Sequence, residues 1–247
     1  MSLSDINIRE KEFHNNLQSQ TKGRFENIFY KSLYNINRDF FSHIQKKANQ
    51  SQILDFGCGT GLFVERTIKY KPKKIVGIDI SEVSIDKAKK NAKKMGLEVD
   101  YYVDNCERTR FESNSFDIVY GTGILHHLEF NKCLNEIHRI LKSNGSLIFI
   151  EPLGTNPIIN LYRKFTPNSR SVDEHPLINK DFEYIKNKFL DTDIKYYGFL
   201  TLIFSPFYKS PSESNFFKFL AKLDQILFKL EIFKKLAWSV LITAKKS

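Results

Sequence analysis

Gln52-Ile-Leu-Asp-Phe-Gly-Cys-Gly-Thr-Gly61 is the stretch whose reading decides the fold. A short apolar run, Ile53, Leu54 and Phe56, breaks into glycines at positions 57, 59 and 61, and Leu62-Phe63-Val64 follows at once. A strand that turns sharply into a helix needs residues without a Cβ where the backbone tightens or approaches a ligand. The amides of such a turn face the crevice beyond the strand end, where open α/β sheets bind their ligands. An ordinary strand–helix turn with spare glycines is the alternative, and Asp55 just before the turn weighs against it.

Outward from this turn the pattern is strand–helix alternation. Strands are predicted at Lys74–Ile80, Val99–Val103, Phe116–Tyr120 and Leu147–Ile150, with helices over residues 62–70, Glu82–Met95 and Asn131–Leu141 between them. Ser81 is a good N-cap for the second helix and Gly96 a good residue to close it. Such alternation argues an α/β fold with a doubly wound parallel sheet. Before it, residues 9–50 read as amphipathic helices, with Phe25, Ile28, Phe29, Leu33, Ile36, Phe40 and Ile44 recurring at three- and four-residue steps. After it the regularity stops. Residues 151–177 hold four prolines and read as an ordered loop with short helical pieces. Asp181–Leu190 reads as a helix, Ile194–Phe204 as a long strand, and Leu236–Thr243 as the last strand. Over 215–230, Phe216, Phe219, Leu220, Leu223, Ile226, Leu227 and Leu230 form one helical face. The expected organisation is a helical cap (1–50), a ligand-binding core (51–150), and a segment (151–247) that brings a loop, lid helices and the last two strands.

Bulk properties bound the function. The chain has 247 residues, 41% hydrophobic and 27% charged, which allows one substantial core. No run is long enough to span a bilayer. The start, Met-Ser-Leu-Ser-Asp-Ile-Asn, lacks the basic and apolar regions of a signal peptide. Cys58, Cys106 and Cys133 are odd in number and without metal-ligand spacing, so reduced thiols and a cytoplasmic protein are expected. The net charge of +10 is concentrated in 69–94, with nine Lys against three acids, and 209–247, with eight Lys against three acids. Nucleic-acid readers rely on arginine forks and stacking aromatics. Lysine abundance of this kind reads as solvated surface, so a nucleic-acid partner is not expected.

Acidic residues end the next two strands. Asp79, about 20 residues past the first glycine, can accept from both hydroxyls of a ribose. Asp104 can accept from an exocyclic amine such as that of adenine. Each alone is equally well a helix cap or a loop acid, but together beside the glycine turn they favour an adenosine site. A dinucleotide fingerprint would need glycine at position 62, which is Leu62, and no Gly-Lys-Ser/Thr of a P-loop occurs. Asp55 at the loop mouth, with no basic side chain in the turn, suits a ligand that carries an amine or a sulfonium.

With Ile53–Gly61, Val76-Gly-Ile-Asp-Ile-Ser81, Asp104, Phe116-Asp-Ile-Val-Tyr120, Ile124-Leu-His-His-Leu128 and Glu136–Gly145 on the page, the chain resembles the class I S-adenosylmethionine-dependent methyltransferases, in their small-molecule branch, over residues 51–151. The resemblance implies a seven-stranded sheet in the order 3-2-1-4-5-7-6 with the last strand antiparallel. It implies S-adenosylmethionine as the cofactor and no metal. Asp55, Gly57, Cys58 and Gly59 would hold its methionyl part, Asp79 the ribose, Ile80 the adenine face, and Asp104 the adenine amine. Asn105 and Cys106 would complete that wall, and Gly121 and Thr122 the floor near the sulfonium. Tyr120-Gly-Thr-Gly123 stands where base-amine methylases carry an Asn/Asp-Pro-Pro-aromatic motif, which counts against that chemistry.

Methyl transfer is an in-line displacement that needs alignment, exclusion of water and loss of the acceptor's proton. His126 and His127 follow strand four, where the acceptor approaches, and either suits a general base. Packing and capping are the structural alternative for this pair. His14 and His175 are further candidates for base or acceptor contact, as are Tyr30 and Glu151 for the acceptor, with a loop-capping role open for Glu151. A roof of Phe13, Phe25, Tyr30, Tyr34, Phe204 and Phe207 would suit an apolar or amphipathic acceptor. The helix over 215–230 would either pack on the sheet or rest on a membrane surface. The expected activity is methylation of an oxygen or nitrogen of a small, amphipathic metabolite. An RNA or protein methyltransferase and a non-catalytic cofactor-binding module are the rival readings, and the oligomeric state is not encoded in any motif.

Overall fold

The computed structural model describes residues 3–19, 28–166 and 170–247, so Phe25 of the expected stripe and roof lies outside the described residues. In chain order the elements are α1 (Asp5–Ser19), a 3-10 segment (Ile28–Leu33), α2 (Tyr34–Ala48), β1 (Gln52–Phe56), α3 (Val64–Thr67), β2 (Lys74–Asp79), α4 (Glu82–Met95), β3 (Asp100–Val103) and β4 (Phe116–Thr122). A 3-10 turn (Leu125–His127), α5 (Phe130–Ile140), β5 (Leu141–Pro152), α6 (Pro157–Phe165), α7 (Asn179–Lys188), β6 (Leu190–Tyr197), α8 (Leu200–Ile203), α9 (Asn215–Leu227), α10 (Glu231–Lys234) and β7 (Ser239–Lys245) follow. The seven strands form one sheet in the order β3-β2-β1-β4-β5-β7-β6. β1 to β5 are parallel, and β7 runs antiparallel to both β5 and β6. Order and directions are those expected.

Central β1 shows why. Successive side chains of a strand point to opposite faces. Leu54 and Phe56 enter one core with Val119 and Phe149 and the α5 residues Leu134, Ile137 and Ile140. Ile53 enters the other, with Ile118, Tyr120, Ile36 and Phe40 of α2, and Ile85 and Ala88 of α4. Asp55 shares the parity of Ile53, so its side chain falls on the α2 side. Both faces are covered, and all strand ends that matter for chemistry lie at one edge of the sheet.

Helix α4 is capped as predicted, with Ser81 Oγ accepting from the Ser84 amide and Gly96 left-handed at φ 65°. Four expectations change. The helix after the glycine turn starts only at Val64, because Gly61, at φ 78°, leads into a turn that leaves Leu62 exposed. In the 9–50 stripe, Phe29 is exposed while Ile36, Phe40 and Ile44 are buried. The long strand expected over 194–204 ends at Tyr197. Gly198 turns left-handed at φ 79°, and Asp224 of α9 accepts from the amides of Phe199, Leu200 and Thr201, which starts α8 instead. The same carboxylate rotates α9. Its buried residues are Phe217, Leu220 and Asp224, whereas Phe216, Phe219 and Ile226 of the expected face are exposed. Among the described residues no helix is long and apolar enough to cross a membrane.

Candidate active site

The glycine turn caps β1 at the edge where β2, β3, β4 and β5 also end. The Cys58 amide donates to the Ile78 carbonyl (2.8 Å), which ties the turn to β2. Gly57 has φ 72°, and a Cβ there would strike the Ile124 side chain at 2.5 Å. The turn therefore lies directly against the segment that leads from β4 into His126 and His127. A Cβ on Gly59 would meet no atom within 4 Å, so open space lies over this part of the turn.

Asp79 braces the turn. Its Oδ2 accepts from the Gly59 amide and its Oδ1 from the Ser81 amide, each at 2.9 Å. Burial raises its pKa above the ordinary value, against the pull of these two amides. Asp104 ends β3, with Oδ1 accepting from the Asn105 amide and Oδ2 from the Arg110 amide and Nε. Asp55 lies beneath the turn, 3% exposed, accepting from the Tyr120 hydroxyl at 3.2 Å. Burial raises its carboxyl to about 7, opposed by the Tyr120 bond and reinforced by Asp79. Cys58 and Cys106 are buried with thiols pushed well up by desolvation. Ile80 and Thr122 are half-buried, and Gly121 is buried against Phe149 and Ile124.

Helix α1 crosses this edge on polar contacts. Asn105 Nδ2 donates to Asn7 Oδ1 (2.9 Å), Ser81 Oγ donates to Asn15 Oδ1 (2.5 Å), and Lys11 pairs with Glu82. Arg9 grips Asp173 with two bonds of 2.8 and 2.9 Å. Between these anchors Glu10, 3% exposed, points down at His127. Its Oε2 lies 3.0 Å from His127 Nδ1 and 3.6 Å from His14 Nε2, and its Oε1 accepts from Ser171. The 3.0 Å approach is off the line of a hydrogen bond for both atoms, so we read it as a charge contact. Burial by itself would raise the Glu10 carboxyl, but His127, His14 and Ser171 outweigh it and hold the group well below the usual carboxylate range. Burial lowers the pKa of His127, partly offset by Glu10. Burial and the neighbouring carboxylate thus pull the imidazole in opposite directions. His127 Nε2 faces Glu174 Oε1 at 3.8 Å, and the His14 ring stands edge-on to His127 at 5.1 Å.

His126 belongs to a different assembly. Its Nδ1 bonds Glu151 Oε2 at 2.7 Å, while Glu151 Oε1 accepts from the Ile124 and Leu125 amides. Glu151 is fully buried with both oxygens engaged, which is the loop-capping alternative. The structure thus brings His14 and His127 together and leaves two other candidates aside. The His175 amide donates to the His126 carbonyl, but its ring is exposed beside Asp181. Tyr30 packs on Trp238 at 5.4 Å between ring centroids. Of the expected roof, Phe13 lies beside His14, whereas Phe207 is exposed and Tyr34 packs edge-on to Phe217. Glu10 and Glu174 were not anticipated. Glu10 and His14 are four residues apart on a helix, a pairing the sequence does display.

The profile of the family described as "Methyltransferase domain" matches residues 54–149, the span from the glycine turn through β5. Residues 54–149 are thus similar to a methyltransferase domain. Among relatives of the methyltransferase domain, a demethylmenaquinone methyltransferase of Bacteroides fragilis is 31% identical over 131 residues, 51% of this chain and 53% of its own. A ubiquinone biosynthesis O-methyltransferase of Pelagibacter ubique is 34% identical over 121 residues, 48% of this chain and 49% of its own. The chain spans about half the length of the curated relatives it matches. Among solved structures, geranyl diphosphate C-methyltransferase from Streptomyces coelicolor, in complex with Mg2+, geranyl diphosphate and S-adenosyl-L-homocysteine, aligns with a TM-score of 0.69 at 14% identity, over 99% of this chain and 98% of that one. Haemonchus contortus phosphoethanolamine N-methyltransferase 2, in complex with phosphomonomethylethanolamine and S-adenosylhomocysteine, gives 0.68 at 19% identity, over 96% and 59%. At these identities the likeness is one of fold.

Proposed function

We propose that the chain transfers a methyl group from S-adenosylmethionine to an oxygen or nitrogen of a small amphipathic metabolite. The observation that carries this is the meeting of a buried His127, held between Glu10 and Glu174, with a glycine turn open at Gly59. The residues fit the cofactor. Asp79, already fixed by two amides, keeps lone pairs for a ribose, and Ile80 offers an apolar face beside it. The backbone of 57–59, held in place by the Cys58 and Gly59 amides on Ile78 and Asp79, would line the methionyl part. Asp104 would reach the adenine amine by sharing its carboxylate with Arg110. When bound, S-adenosylmethionine supplies an electrophilic methyl on a sulfonium.

His127 then takes the proton that the acceptor loses. Glu10 and Glu174 flank the ring, so the imidazolium forms beside two carboxylates that need no rearrangement, which lowers the barrier to proton removal. Helix α1 and the 170–175 loop exclude water, which favours displacement by the acceptor over hydrolysis. The named quinone methyltransferases among the relatives support an amphipathic acceptor. The +10 charge favours no nucleic acid reading, because no arginine cluster or stacked aromatic pair lines this edge among the described contacts.

Calorimetric titration with S-adenosylmethionine tests the reading. Native protein should bind, and Asp79→Ala should bind more weakly by about 1–3 kcal/mol, the scale of an interaction left unsatisfied. Absence of heat with native protein would sink the proposal, and equal affinities would remove the role of Asp79.

A further inference from the structure

Helix α6 is built inside out. It has an Asn156 N-cap that accepts from the amides of Ile158 and Ile159, with Pro157 in the first turn, and none of its nine residues is buried. Ile158, Leu161, Tyr162 and Phe165, spaced at i, i+3, i+4 and i+7, form one apolar face. They are 58, 55, 47 and 78% exposed. In a helix that packs on its own domain this face would turn inward. Here the polar side turns inward and is bonded there. Asn160 Nδ2 donates to the Gly154 carbonyl, and Arg163 donates to the Leu153 carbonyl at 2.8 Å. Arg170 donates to the Arg163 carbonyl from the other end. The orientation is therefore fixed by hydrogen bonds, not left by default.

The surroundings extend the surface. Asn156 and Thr155 donate to the carbonyls of Leu236 and Lys235, which sets the start of α6 beside α10 with its exposed Leu230 and Ile232. On the loop that Arg170 ties to α6, Val172 is 95% exposed. Lys164, Lys229 and Lys235 are exposed at the margin, and the acids nearby are already paired, Glu231 with Lys234, Asp173 with Arg9 and Glu174 with Arg170. Apolar side chains on an amphipathic helix with lysines at the rim match the chemistry of an anionic lipid surface, with tails for the first and phosphates for the second.

We infer that α6, with the adjoining α10 and Val172, seats the protein on an anionic lipid surface. The 170–175 loop then has one side on the lipid and the other in the active site, since Ser171 bonds Glu10. This goes beyond the methyl-transfer reading and is tested without it. Native protein and the double variant Leu161→Ser, Phe165→Ser are sedimented with vesicles of phosphatidylglycerol and, separately, of phosphatidylcholine. Native protein should sediment with the anionic vesicles, less at high salt, and weakly with the neutral ones. The variant should lose about tenfold or more of its binding, because two exposed apolar side chains no longer enter the lipid. Its thermal midpoint and affinity for S-adenosylmethionine should stay as in native protein. The inference is overturned if native protein ignores anionic vesicles, or if the variant sediments like native. It is equally overturned if native protein is a dimer that the variant dissociates, for a second copy would then cover the face.

Discussion

Asp55 sits where strand parity puts it, facing α2 and Tyr120 under the glycine turn, and its carboxyl is raised by burial to about 7. Between the unfolded value and that one the folded chain binds the extra proton, so the contribution of this group falls as pH rises from about 4 to 7 and stays low above. Asn keeps an acceptor for the Tyr120 hydroxyl and carries no charge. Asp55→Asn should therefore gain stability over native protein as pH rises through this window, by on the order of 4 kcal/mol in full. Urea unfolding at pH 5 and pH 8 measures it, and a difference independent of pH would remove the argument. At His127 the expected effect is on rate. His127→Ala should lower kcat by about 100-fold or more against the true acceptor while cofactor affinity holds. A fall in cofactor affinity with kcat intact would make the ring a packing residue. The glycine turn and the acids around it were legible in the sequence, because glycines and strand-end acids are local signals. The histidine cluster was half legible. His127 stood in a visible motif, but Glu10 and Glu174 become its neighbours only through the folding of segments more than 40 residues away on either side.

Among the elements, α8 and α9 are coupled through a single carboxylate. Asp224 accepts from three successive amides at the start of α8 and from the Thr201 hydroxyl, all in a buried setting. Asp224→Ala would orphan these donors together. A loss of about 2–3 kcal/mol in urea unfolding is expected, the cost of buried donors without partners. A shift below about 0.5 kcal/mol, typical of surface substitutions, would contradict it. This contact also explains why the pattern misled over 194–230. A remote cap 25 residues along the chain has no sequence signature, and it turns α9 so that residues apolar by composition face outward. Gly198 was the available clue to the end of β6. Helix α1 was legible as part of the helical stretch over 9–50, but not its role, since among its described side chains Asn7 and Glu10 are the buried ones and no apolar stripe marks what it covers.

For the whole molecule, the strand order and the two cores followed from alternation in strands and from helical period in α2, α4 and α5. These are repeated many times along the chain, so single irregularities do not disturb them. Function concentrates where that repetition ends, at one edge of the sheet. There Glu10, His127 and Ser171 come from the first helix, the middle of the chain and the loop after α6, and Glu10 touches both of the others. Because Arg9 and Asp173 lock the same two outer segments, the parts of this roof are not interchangeable modules. A chimera that received only the first helix of a relative would present His127 and Ser171 with a mismatched lid. A working transplant has to carry the first helix, the His126–His127 turn and the 170–175 loop together, as one inherited unit dispersed through the chain.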